Sequence, residues 1–292
     1  MNALHSEYEF LDPPKREGEI GRMGPYRILG VLGKGGMGEV FRARDGRLQR
    51  TVALKLMRKK LASTPTSRKR FVEEARSMAA VHHDNVATIF EVGIHRNMPF
   101  IAMELLRGQP LNQSMKGTPR FGHERVLRLA REVASGLSAA HGVGIIHRDI
   151  KPANIWIEEP TDRAKILDFG LAIAGANLDR FAARNSVVGS PAYLAPEQAR
   201  NEPVDDRADL YGLGVIMYQM CSGSLPLLSD SIHGQMLSVI CHQPVPLQKR
   251  NPEIPAPLCE LIHQLLAKEA RHRPSSAERL QQFIDKVADR CT

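Results

Sequence analysis

Cysteine, tryptophan and long apolar runs are all scarce in this sequence. The four cysteines are Cys221, Cys241, Cys259 and Cys291. They form no Cys-x-x-Cys pair, so a zinc knuckle or a disulfide framework is not expected, and free thiols favour a reducing compartment. No apolar segment of the secretory kind follows the N-terminus, and the longest nearly apolar run, Leu210–Met220, is too short to span a bilayer. These absences predict a cytoplasmic chain without a membrane segment, and leave open that it is the cytosolic part of a longer, membrane-anchored protein.

Size and charge restrict the class of protein further. The 292 residues are 42% apolar, which is enough for two folded cores, and they carry a formal charge of +8. That charge suits an acidic partner such as nucleotide phosphate, nucleic acid or anionic lipid. The densest basic runs, Arg58–Lys60 and Arg68–Arg70, flank a stretch rich in Ser, Thr and Pro, and we interpret them as solvated surface. We therefore expect no nucleic-acid partner.

The first part of the chain has the pattern of a small sheet. Residues 1–25 are charged and contain Pro13-Pro14, which predicts a flexible leader that is either poorly ordered or draped over the first lobe, with Tyr8–Leu11 as its one candidate docking patch. Alternating residues then predict an antiparallel meander of three strands, an amphipathic helix over Ser67–Val81 and two further strands. The predicted strands are Tyr26–Leu32, Glu39–Arg44, Thr51–Met57, Val86–Val92 and Pro99–Leu105.

Beyond Gly108 the periodic segments are helical. The predicted helices are His123–His141, Asp206–Ser222, Ile232–Cys241, Pro257–Lys268 and Ser276–Asp289. The chain therefore divides into a β-rich lobe over residues 26–106 and an α-rich lobe over residues 107–290. This division predicts one α+β domain with two lobes.

One short segment, Ile145–Ile157, concentrates acid, base and amide side chains between two apolar runs. The pattern predicts a strand, a polar loop and a second strand, so that the buried ends hold the polar residues in a fixed mutual geometry. Those polar residues are His147, Arg148, Asp149, Lys151 and Asn154. Chemistry on a charged substrate needs a constellation of this kind.

A second chemical signal is the glycine cluster Gly33-x-Gly35-x-x-Gly38. A dinucleotide-binding version should lead into a helix, whereas Glu39–Arg44 alternates like a strand, and no Gly-Lys-Ser/Thr of a Walker loop is present. Two interpretations remain. The cluster is either a plain turn or a glycine-tipped hairpin whose backbone N–H groups approach phosphates because no Cβ intervenes.

Lys55 lies among apolar residues near the end of a predicted strand. Its ammonium either reaches water at the sheet edge or faces a cleft, where it pairs with a carboxylate of the predicted helix. Glu74 is the preferred partner, because Glu73 should lie away from the apolar stripe of that helix.

The ordered motifs resemble those of bacterial eukaryotic-like (Hanks-type) Ser/Thr protein kinases over Tyr26–Asp289. The motifs are Gly33-x-Gly35-x-x-Gly38-x-Val40, Val52-Ala53-Leu54-Lys55, Glu74, His147-Arg148-Asp149, Asn154, Asp168-Phe169-Gly170, Ala195-Pro196-Glu197, Asp209 and Arg273. The resemblance implies a protein kinase-like fold with a small antiparallel sheet and one main helix in the first lobe, a larger helical second lobe, and a nucleotide site in the cleft. It implies transfer of the γ-phosphoryl group of Mg-ATP to Ser/Thr hydroxyls of proteins. The alternative is a pseudokinase, a nucleotide-binding scaffold or signalling module.

The resemblance also implies a catalytic role for each matching residue. Asp149 would orient the substrate hydroxyl and accept its proton, and Lys151 would steady the γ-phosphate. Lys55, held by Glu74, would contact the α- and β-phosphates. Asn154 and Asp168 would hold Mg²⁺, for which Mn²⁺ is a substitute. The remaining structural anchors implied by the family are Glu197 with Arg273, as a buried ion pair, and Asp209 beneath the catalytic loop.

The nucleotide pocket is implied by the same resemblance. Its residues are Leu32, Gly33, Gly35, Gly38, Val40, Ala53, Lys55, Met103, Glu104, Leu106 and Trp156. Trp156 stands where relatives usually have a smaller residue. Alternation places Ile155 and Ile157 on one face and Trp156 on the other, so Trp156 either packs on the adenine or is an ordinary core residue.

Regulation is implied for Leu171–Leu194, the candidate activation loop. Arg148 is a cation that a phosphate on this loop could engage, and Ser186 is the first choice of phosphosite. Ser190 occupies the place of a family threonine and should brace Asp149 and Lys151. Autophosphorylation in trans would require transient self-association.

Overall fold

The computed structural model describes residues 8–35, 38–118, 120–168 and 191–291. These residues form two compact units. The first comprises the chain up to His82 together with Ala87–Arg107, and the second comprises His83–Val86 and the chain from Gly108 onward. A β-rich first unit and a helix-rich second unit confirm the predicted α+β class and its two lobes.

The first unit is built on a six-stranded antiparallel sheet. Its strands, in the spatial order β1-β2-β3-β4-β6-β5, are β1 (Gly21–Met23), β2 (Tyr26–Lys34), β3 (Gly38–Asp45), β4 (Thr51–Met57), β5 (Ile89–His95) and β6 (Met98–Glu104). Phe41 is opposite Leu54, which is opposite Ala102, and all three are fully buried. This row forms the core on one face, and the intervening residues of each strand lie on the other face because side chains alternate.

The fifth strand begins later than the sequence predicts. Strand β5 covers Ile89–His95 instead of Val86–Val92, because Val86 forms a parallel bridge with Ile166. The preceding Asn85 donates its side-chain amide to the Ala164 carbonyl at 2.8 Å, and its own carbonyl accepts from the Ile166 N–H at 2.8 Å. These bonds draw His83–Val86 into the second unit.

Two helices follow the third long strand of the first unit, α1 (Lys59–Ala62) and α2 (Pro65–Met78). Helix α2 begins two residues before the predicted Ser67. The reason is local, because the Thr64 hydroxyl accepts from the Ser67 N–H at 3.3 Å and Pro65 fits the first helical position. Its buried stripe is Phe71, Val72, Ala75 and Met78.

Residues 8–25 of the predicted leader are packed on the first unit, which is the second of its two predicted alternatives. Strand β1 pairs with β2, and Asp12 bridges Arg22 through two backbone hydrogen bonds of 2.8 and 2.9 Å. Tyr8 and Leu11 are each 2% exposed. The poorly ordered alternative is therefore wrong for these residues, because the few apolar residues that dock the segment produce no periodic signal, whereas the draped alternative with Tyr8–Leu11 as the docking patch agrees with the structure.

The Glu19 carboxylate ties this segment to the sheet. It accepts hydrogen bonds from the Arg22 guanidinium at 2.9 and 3.0 Å, from Arg27 Nε at 2.6 Å and from the Lys15 N–H at 3.0 Å. Burial of the Glu19 carboxyl raises its pKa, but the hydrogen bonds from Arg22, Lys15 and Arg27 outweigh burial and lower the pKa from 4.5 to about 2.

The second unit is mostly helical. Its helices are α3 (Leu111–Gly117), α4 (His123–Gly142), α5 (Pro196–Ala199), α6 (Arg207–Ser222), α7 (Ile232–Cys241), α8 (Leu247–Arg250), α9 (Ala256–Leu265) and α10 (Ala277–Cys291). A three-stranded sheet of β7 (Gly108–Pro110), β8 (Ile155–Glu158) and β9 (Ala164–Ile166) and short 3-10 turns at Pro152–Asn154, Pro191–Tyr193 and Ala270–His272 complete it. Within the described ranges, no helix combines the length and apolarity that crossing a membrane requires.

Helix α6 lies at the centre of this unit. Leu210, Tyr211 and Ile216 are almost completely buried, and helical spacing places them on different sides of the helix. At Gly212 an added Cβ would lie 2.9 Å from the Ile150 carbonyl oxygen, so only glycine lets the loop that contains Ile150 approach this closely. Helix α6 therefore packs against Ile145–Ile157, the segment with the cluster of polar side chains that the sequence indicates as a functional site.

We expect Glu19→Gln to lower the free energy of unfolding at neutral pH by about 2 kcal/mol, because an amide loses the charge-assisted bonds of Arg22 and Arg27. The pKa of Glu19 is lower in the folded state than its ordinary 4.5, so the contribution is present above that value and is lost as the pH falls toward about 2. Urea denaturation at a series of pH values measures the difference. The exposed Glu17 is the control, since Glu17→Gln should leave stability unchanged, and a Glu19→Gln difference that persists in acid would contradict the assignment.

Candidate active site

The polar loop within Ile145–Ile157 is held at its end by strand β8. Strand β8 pairs with β7 and β9, and Ile155 and Ile157 are 1% and 4% exposed. The first predicted strand is absent, since Ile145 and Ile146 form no ladder. The beginning of the loop is held by a carboxylate instead.

That carboxylate is Asp209 on helix α6, which is 1% exposed. Its Oδ2 accepts from the His147 N–H at 2.8 Å and lies 2.8 Å from His141 Nε2, and its Oδ1 accepts from the Arg148 N–H at 2.7 Å. A carboxylate buried in this way requires several donors to offset its lost hydration. Asp209 therefore fixes the backbone immediately before Asp149.

The loop takes an unusual conformation at Arg148. Its φ of 63° lies in the left-handed region, which costs a non-glycine residue about 1 kcal/mol or more. The Arg148 carbonyl accepts from Gln198 Nε2 at 2.9 Å, and Gln198 Oε1 accepts from the Ala195 N–H at 3.0 Å. Together with the bond from its N–H to Asp209, this contact holds the strained residue on both sides.

His147 connects the loop to the residue before Asp168. The ring is fully buried, its Nδ1 accepts from the Asp149 N–H at 3.2 Å, and its Nε2 lies 2.9 Å from the Leu167 carbonyl oxygen. This pattern places the ring proton on Nε2, which donates to Leu167. His147 therefore braces the loop and is not arranged as a metal ligand.

Asp149, Lys151 and Asn154 form one cluster in the second unit. Asp149 Oδ2 accepts from Lys151 Nζ at 2.6 Å and from Asn154 Nδ2 at 3.0 Å, and Asn154 Nδ2 also donates to the Asp149 carbonyl at 2.8 Å. The Asp149 and Lys151 side chains retain 24% and 20% exposure. The carboxylate is thus fixed in direction and still accessible to a substrate.

Asn154 and Asp168 lie on neighbouring parts of the backbone. The Leu167 N–H donates to the Asn154 carbonyl at 2.8 Å, while the Leu167 carbonyl faces His147, so both backbone groups before Asp168 are fixed. Because Asn154 uses its amide nitrogen on Asp149, its amide oxygen is the group left for a cation. One carboxylate and one amide oxygen fit a hard cation such as Mg²⁺ that takes its other ligands from phosphate and water.

Glu197 and Arg273 form a bidentate ion pair beneath this region. Arg273 donates to the two Glu197 oxygens at 2.7 and 2.8 Å, and the two side chains are 0% and 9% exposed. Arg273 also donates to the carbonyls of Ala267 and Arg207 at 3.0 Å each. The pair links the start of α5 to the segment that precedes α10.

In the first unit, the register of the sheet places four predicted nucleotide-binding residues on one face. Val40 is opposite Lys55, and Ala53 is opposite Met103. Opposite residues share a face, as do residues two apart along a strand, so all four share the face opposite to the Phe41 row. Lys55 is 5% exposed, so it does not reach into water as an edge lysine would.

The three glycines of the cluster differ in what the fold requires of them. At Gly38 an added Cβ would overlap the Leu56 carbonyl oxygen at 2.0 Å, so the fold itself demands glycine. At Gly33 an added Cβ would meet nothing within 4 Å, and at Gly35 it would meet only the Gly38 oxygen at 3.7 Å. Packing in the described residues does not require those two glycines, which favours a role in ligand approach over a plain turn.

The two neighbouring carboxylates of helix α2, Glu73 and Glu74, differ in exposure in the direction that the sequence predicts. The Glu73 side chain is 58% exposed and lies 3.7 Å from Lys69, one turn earlier on α2. Glu74 is partly buried. An outward Glu73 leaves Glu74 as the better placed partner for Lys55.

The remaining predicted pocket residues are spread over both units. Leu32 is 50% exposed near the end of β2, and Leu106 and Trp156 are partly buried. The Glu104 carboxylate accepts from the Thr88 N–H at 2.7 Å. Trp156 alternates with the buried Ile155 and Ile157, as its strand position predicts.

Several predicted residues lie outside the described residues. They are Phe169, Gly170, Ser186 and Ser190, with most of the candidate activation loop. Two residues of the site, His141 and Gln198, were missed by sequence reasoning. Gln198 directly follows Ala195-Pro196-Glu197, and that position was the only available signal. His141 ends a long amphipathic helix and carries no motif.

Comparison with known proteins identifies similar chains. Residues 26–284 match the family described as Protein kinase domain. Serine/threonine-protein kinase pkn3 of Myxococcus xanthus is 40% identical over 274 residues, or 89% of this chain and 50% of that protein. Serine/threonine-protein kinase PknB of Mycobacterium leprae is 34% identical over 266 residues, or 90% of this chain and 43% of that protein. The chain thus spans about half the length of the curated relatives it matches.

A solved structure has the same fold. The crystal structure of the Mycobacterium tuberculosis PknI kinase domain aligns with a TM-score of 0.75 and 25% sequence identity. The alignment covers 94% of this chain and 100% of that chain.

We expect Asp209→Asn to destabilise the protein by about 3 kcal/mol, because the amide turns a donor toward groups that need an acceptor. The backbone amides of His147 and Arg148 should exchange with solvent at least about 10-fold faster, since their shared acceptor is weakened. Urea denaturation and hydrogen exchange measure the two effects. Asp206→Asn, at the N-cap of the same helix where its side chain makes no capping hydrogen bond, is the matched control and should change stability by less than about 0.5 kcal/mol. Unchanged exchange at His147 and Arg148 would contradict the role of Asp209.

Proposed function

Because the chain belongs to the protein kinase family, with the bacterial Hanks-type Ser/Thr kinases among its relatives, we propose that it transfers the γ-phosphoryl group of ATP to Ser/Thr hydroxyls of protein substrates. The observation that carries the proposal is the Asp149 carboxylate, held by Lys151 at 2.6 Å and Asn154 at 3.0 Å yet partly exposed. A fixed carboxylate beside a lysine suits a reaction that needs positioning and charge compensation more than covalent chemistry.

Asp149 would orient the substrate hydroxyl and accept its proton as the oxygen becomes a nucleophile. Its position is set by the backbone bonds to Asp209 and by the amide of Asn154. Lys151 would shift from Asp149 toward the transferring phosphoryl group, where its ammonium compensates negative charge. A general base must be within hydrogen-bond reach of the proton it takes, and the partial exposure of Asp149 permits this.

Asn154 and Asp168 would hold the cation, and Lys55 with Glu74 would hold the α- and β-phosphates. Bound Mg-ATP supplies the transferable phosphoryl group and, through the metal, neutralises charge on it. The oxygen ligands favour Mg²⁺, and Mn²⁺, which also accepts oxygen ligands, would substitute. Lys55 is suited to its task because burial to 5% exposure keeps its ammonium out of bulk water.

The adenine would lie against the apolar residues of the predicted pocket. Val40, Ala53 and Met103 share a face of the first unit's sheet. Leu32, Leu106 and Trp156 would complete the apolar surface, and the backbone near Glu104 would contribute polar contacts. The glycines Gly33 and Gly35, which packing does not require, would let backbone N–H groups approach the phosphates.

Regulation by phosphorylation would use Arg148. Its backbone is fixed by Asp209 and Gln198, and in the described part of the chain its guanidinium has no carboxylate partner. A phosphate on the activation loop, first of all on Ser186, would supply the missing anion, and Ser190 would brace Asp149 and Lys151. Autophosphorylation in trans would involve transient self-association.

The location proposed for the chain is the cytoplasm, either as a separate protein or as the cytosolic part of a longer, membrane-anchored one. Support comes from the four cysteines, all of which are free thiols. Cys221 and Cys259 are buried, and burial raises the pKa of the Cys221 thiol to about 12, which keeps it unreactive.

Asp149→Asn should reduce phosphoryl transfer to a generic protein substrate by about 100-fold or more, because the amide cannot accept the proton. Incorporation of ³²P from ATP measures it. Glu158→Gln, on strand β8 beyond the loop, is the control and should retain turnover. Equal incorporation by the wild type and Asp149→Asn would refute the kinase assignment, and no incorporation by the wild type despite nucleotide binding would favour a pseudokinase.

Nucleotide binding should change the fluorescence of Trp156, the single tryptophan of the chain, if its ring packs on the adenine. Titration with MgADP measures the emission, and calorimetry under the same conditions establishes that the nucleotide binds. Trp156→Leu keeps an apolar residue and should abolish the signal while preserving binding. A flat emission trace at saturating nucleotide would show that Trp156 is an ordinary core residue.

A further inference from the structure

The segment of residues 8–23, which we call the N-terminal strap, contacts the hairpin that carries the glycine cluster. This hairpin is formed by β2 and β3, and its tip is bounded by Gly35 and Gly38, joined by a 2.8 Å bond from the Gly35 N–H to the Gly38 carbonyl. Strand β2 makes few buried contacts near the tip of the hairpin, since Val31, Leu32 and the residues through Gly35 are all exposed. A segment with few buried contacts changes shape at little cost, so an external support matters there.

Tyr8 provides such a support. Its side chain is 2% exposed and meets the ring of Phe41 edge-to-face, with centroids 5.3 Å apart and planes at 82°. Phe10 also packs edge-to-face with Tyr8, with centroids 5.8 Å apart and planes at 81°. Phe41 follows Val40 on β3, so the two side chains point to opposite faces. Tyr8 therefore packs behind the strand whose front face carries a proposed nucleotide contact.

Lys34 makes a second contact between strap and hairpin. Its Nζ lies 5.5 Å from the centroid of the Tyr8 ring, and it also lies 3.9 Å from the Glu39 carboxylate. Lys34 stands between Gly33 and Gly35 in the cluster itself. The Tyr8 ring thus contacts one residue in each strand of the hairpin, Lys34 on β2 and Phe41 on β3.

The strap is also anchored at points distant from the tip of the hairpin. The Asp12 carboxylate lies 3.1 Å from His95 Nε2 and 2.5 Å from the Arg96 guanidinium, at the turn between β5 and β6. Farther along, Glu19 binds Arg22 and Arg27. These contacts of Asp12 and Glu19 hold the strap in place on the sheet. Tyr8 can therefore restrain the tip of the hairpin and does not simply move with it.

We propose that the N-terminal strap positions the glycine hairpin for nucleotide binding, with Tyr8 as the positioning residue that acts through Phe41 and Lys34. The proposal rests on the nucleotide binding proposed above and concerns affinity, not the transfer step. Without Tyr8, the hairpin would spend less time in its binding geometry. The apparent dissociation constant rises by the inverse of the fraction that is competent to bind. Asp149, Lys151 and Asn154 belong to the other unit, so turnover of bound nucleotide would be preserved.

Tyr8→Ala tests the proposal in the full chain. The Kd for MgADP from calorimetry, and the KM for ATP from ³²P transfer, should each rise about 5-fold, while kcat stays within about 2-fold of the wild type. Tyr8→Phe retains the ring and should bind like the wild type. Should Tyr8→Ala fail to fold, Tyr8→Leu keeps apolar volume without the ring and should still weaken binding.

Tyr26→Phe serves as the stability control. It removes the 2.5 Å bond from the Tyr26 hydroxyl to Glu91 in the same unit, yet it leaves Tyr8 and Phe41 untouched. It should lower the Tm without changing the Kd. Equal weakening by Tyr8→Ala and Tyr26→Phe, or wild-type affinity in a folded Tyr8→Ala, would overturn the positioning role and leave the proposed function standing. A wild type that binds no nucleotide would overturn both.

Discussion

The buried Asp209 carboxylate is the interaction on which the geometry of the loop that contains Asp149 depends. It accepts from the backbone N–H groups of two successive residues, His147 and Arg148, and its third contact is the ring of His141. A charge with 1% exposure is tolerated only when donors replace its water, and here the donors are the backbone itself. The backbone hydrogen bonds that stabilise the Asp209 charge also hold the left-handed conformation of Arg148. Together they fix the position of Asp149, the next residue.

Other buried polar groups of the second unit are likewise satisfied by hydrogen bonds within the protein. The Leu167 N–H donates to the Asn154 carbonyl and the Leu167 carbonyl accepts from His147, so the segment that leads to Asp168 is tied to the loop through both backbone polar groups of one residue. Arg273 forms a second such contact through its buried ion pair with Glu197. Removing one member would leave its partner buried and unsatisfied, which is why such contacts cost more to break than they contribute when intact.

Sequence periodicity was sufficient where an element is stabilised by its own pattern. Strand β4 and helix α7 have the predicted bounds, Thr51–Met57 and Ile232–Cys241. Periodicity was insufficient where a contact with a residue distant in sequence determines whether a segment forms a strand. Val86 leaves the sheet for Ile166, and Ile145 forms no strand because Asp209, far along the chain, holds the loop that follows. Motif order placed Asp149, Lys151 and Asn154 in one loop, but no spacing rule could show that Gln198 would cap the Arg148 carbonyl.

The two units hold their proposed functional residues by different forces, and this difference would separate nucleotide affinity from turnover. In the second unit, buried hydrogen bonds fix the loop, and salt screens buried groups weakly. In the first unit, the strap holds the hairpin through the Tyr8 and Phe41 rings, while ion pairs such as Asp12 with Arg96, whose side chains are 30% and 55% exposed, anchor it. Those exposed pairs weaken as ionic strength rises. Salt should therefore loosen the strap, and with it the hairpin, before it disturbs the groups around Asp149.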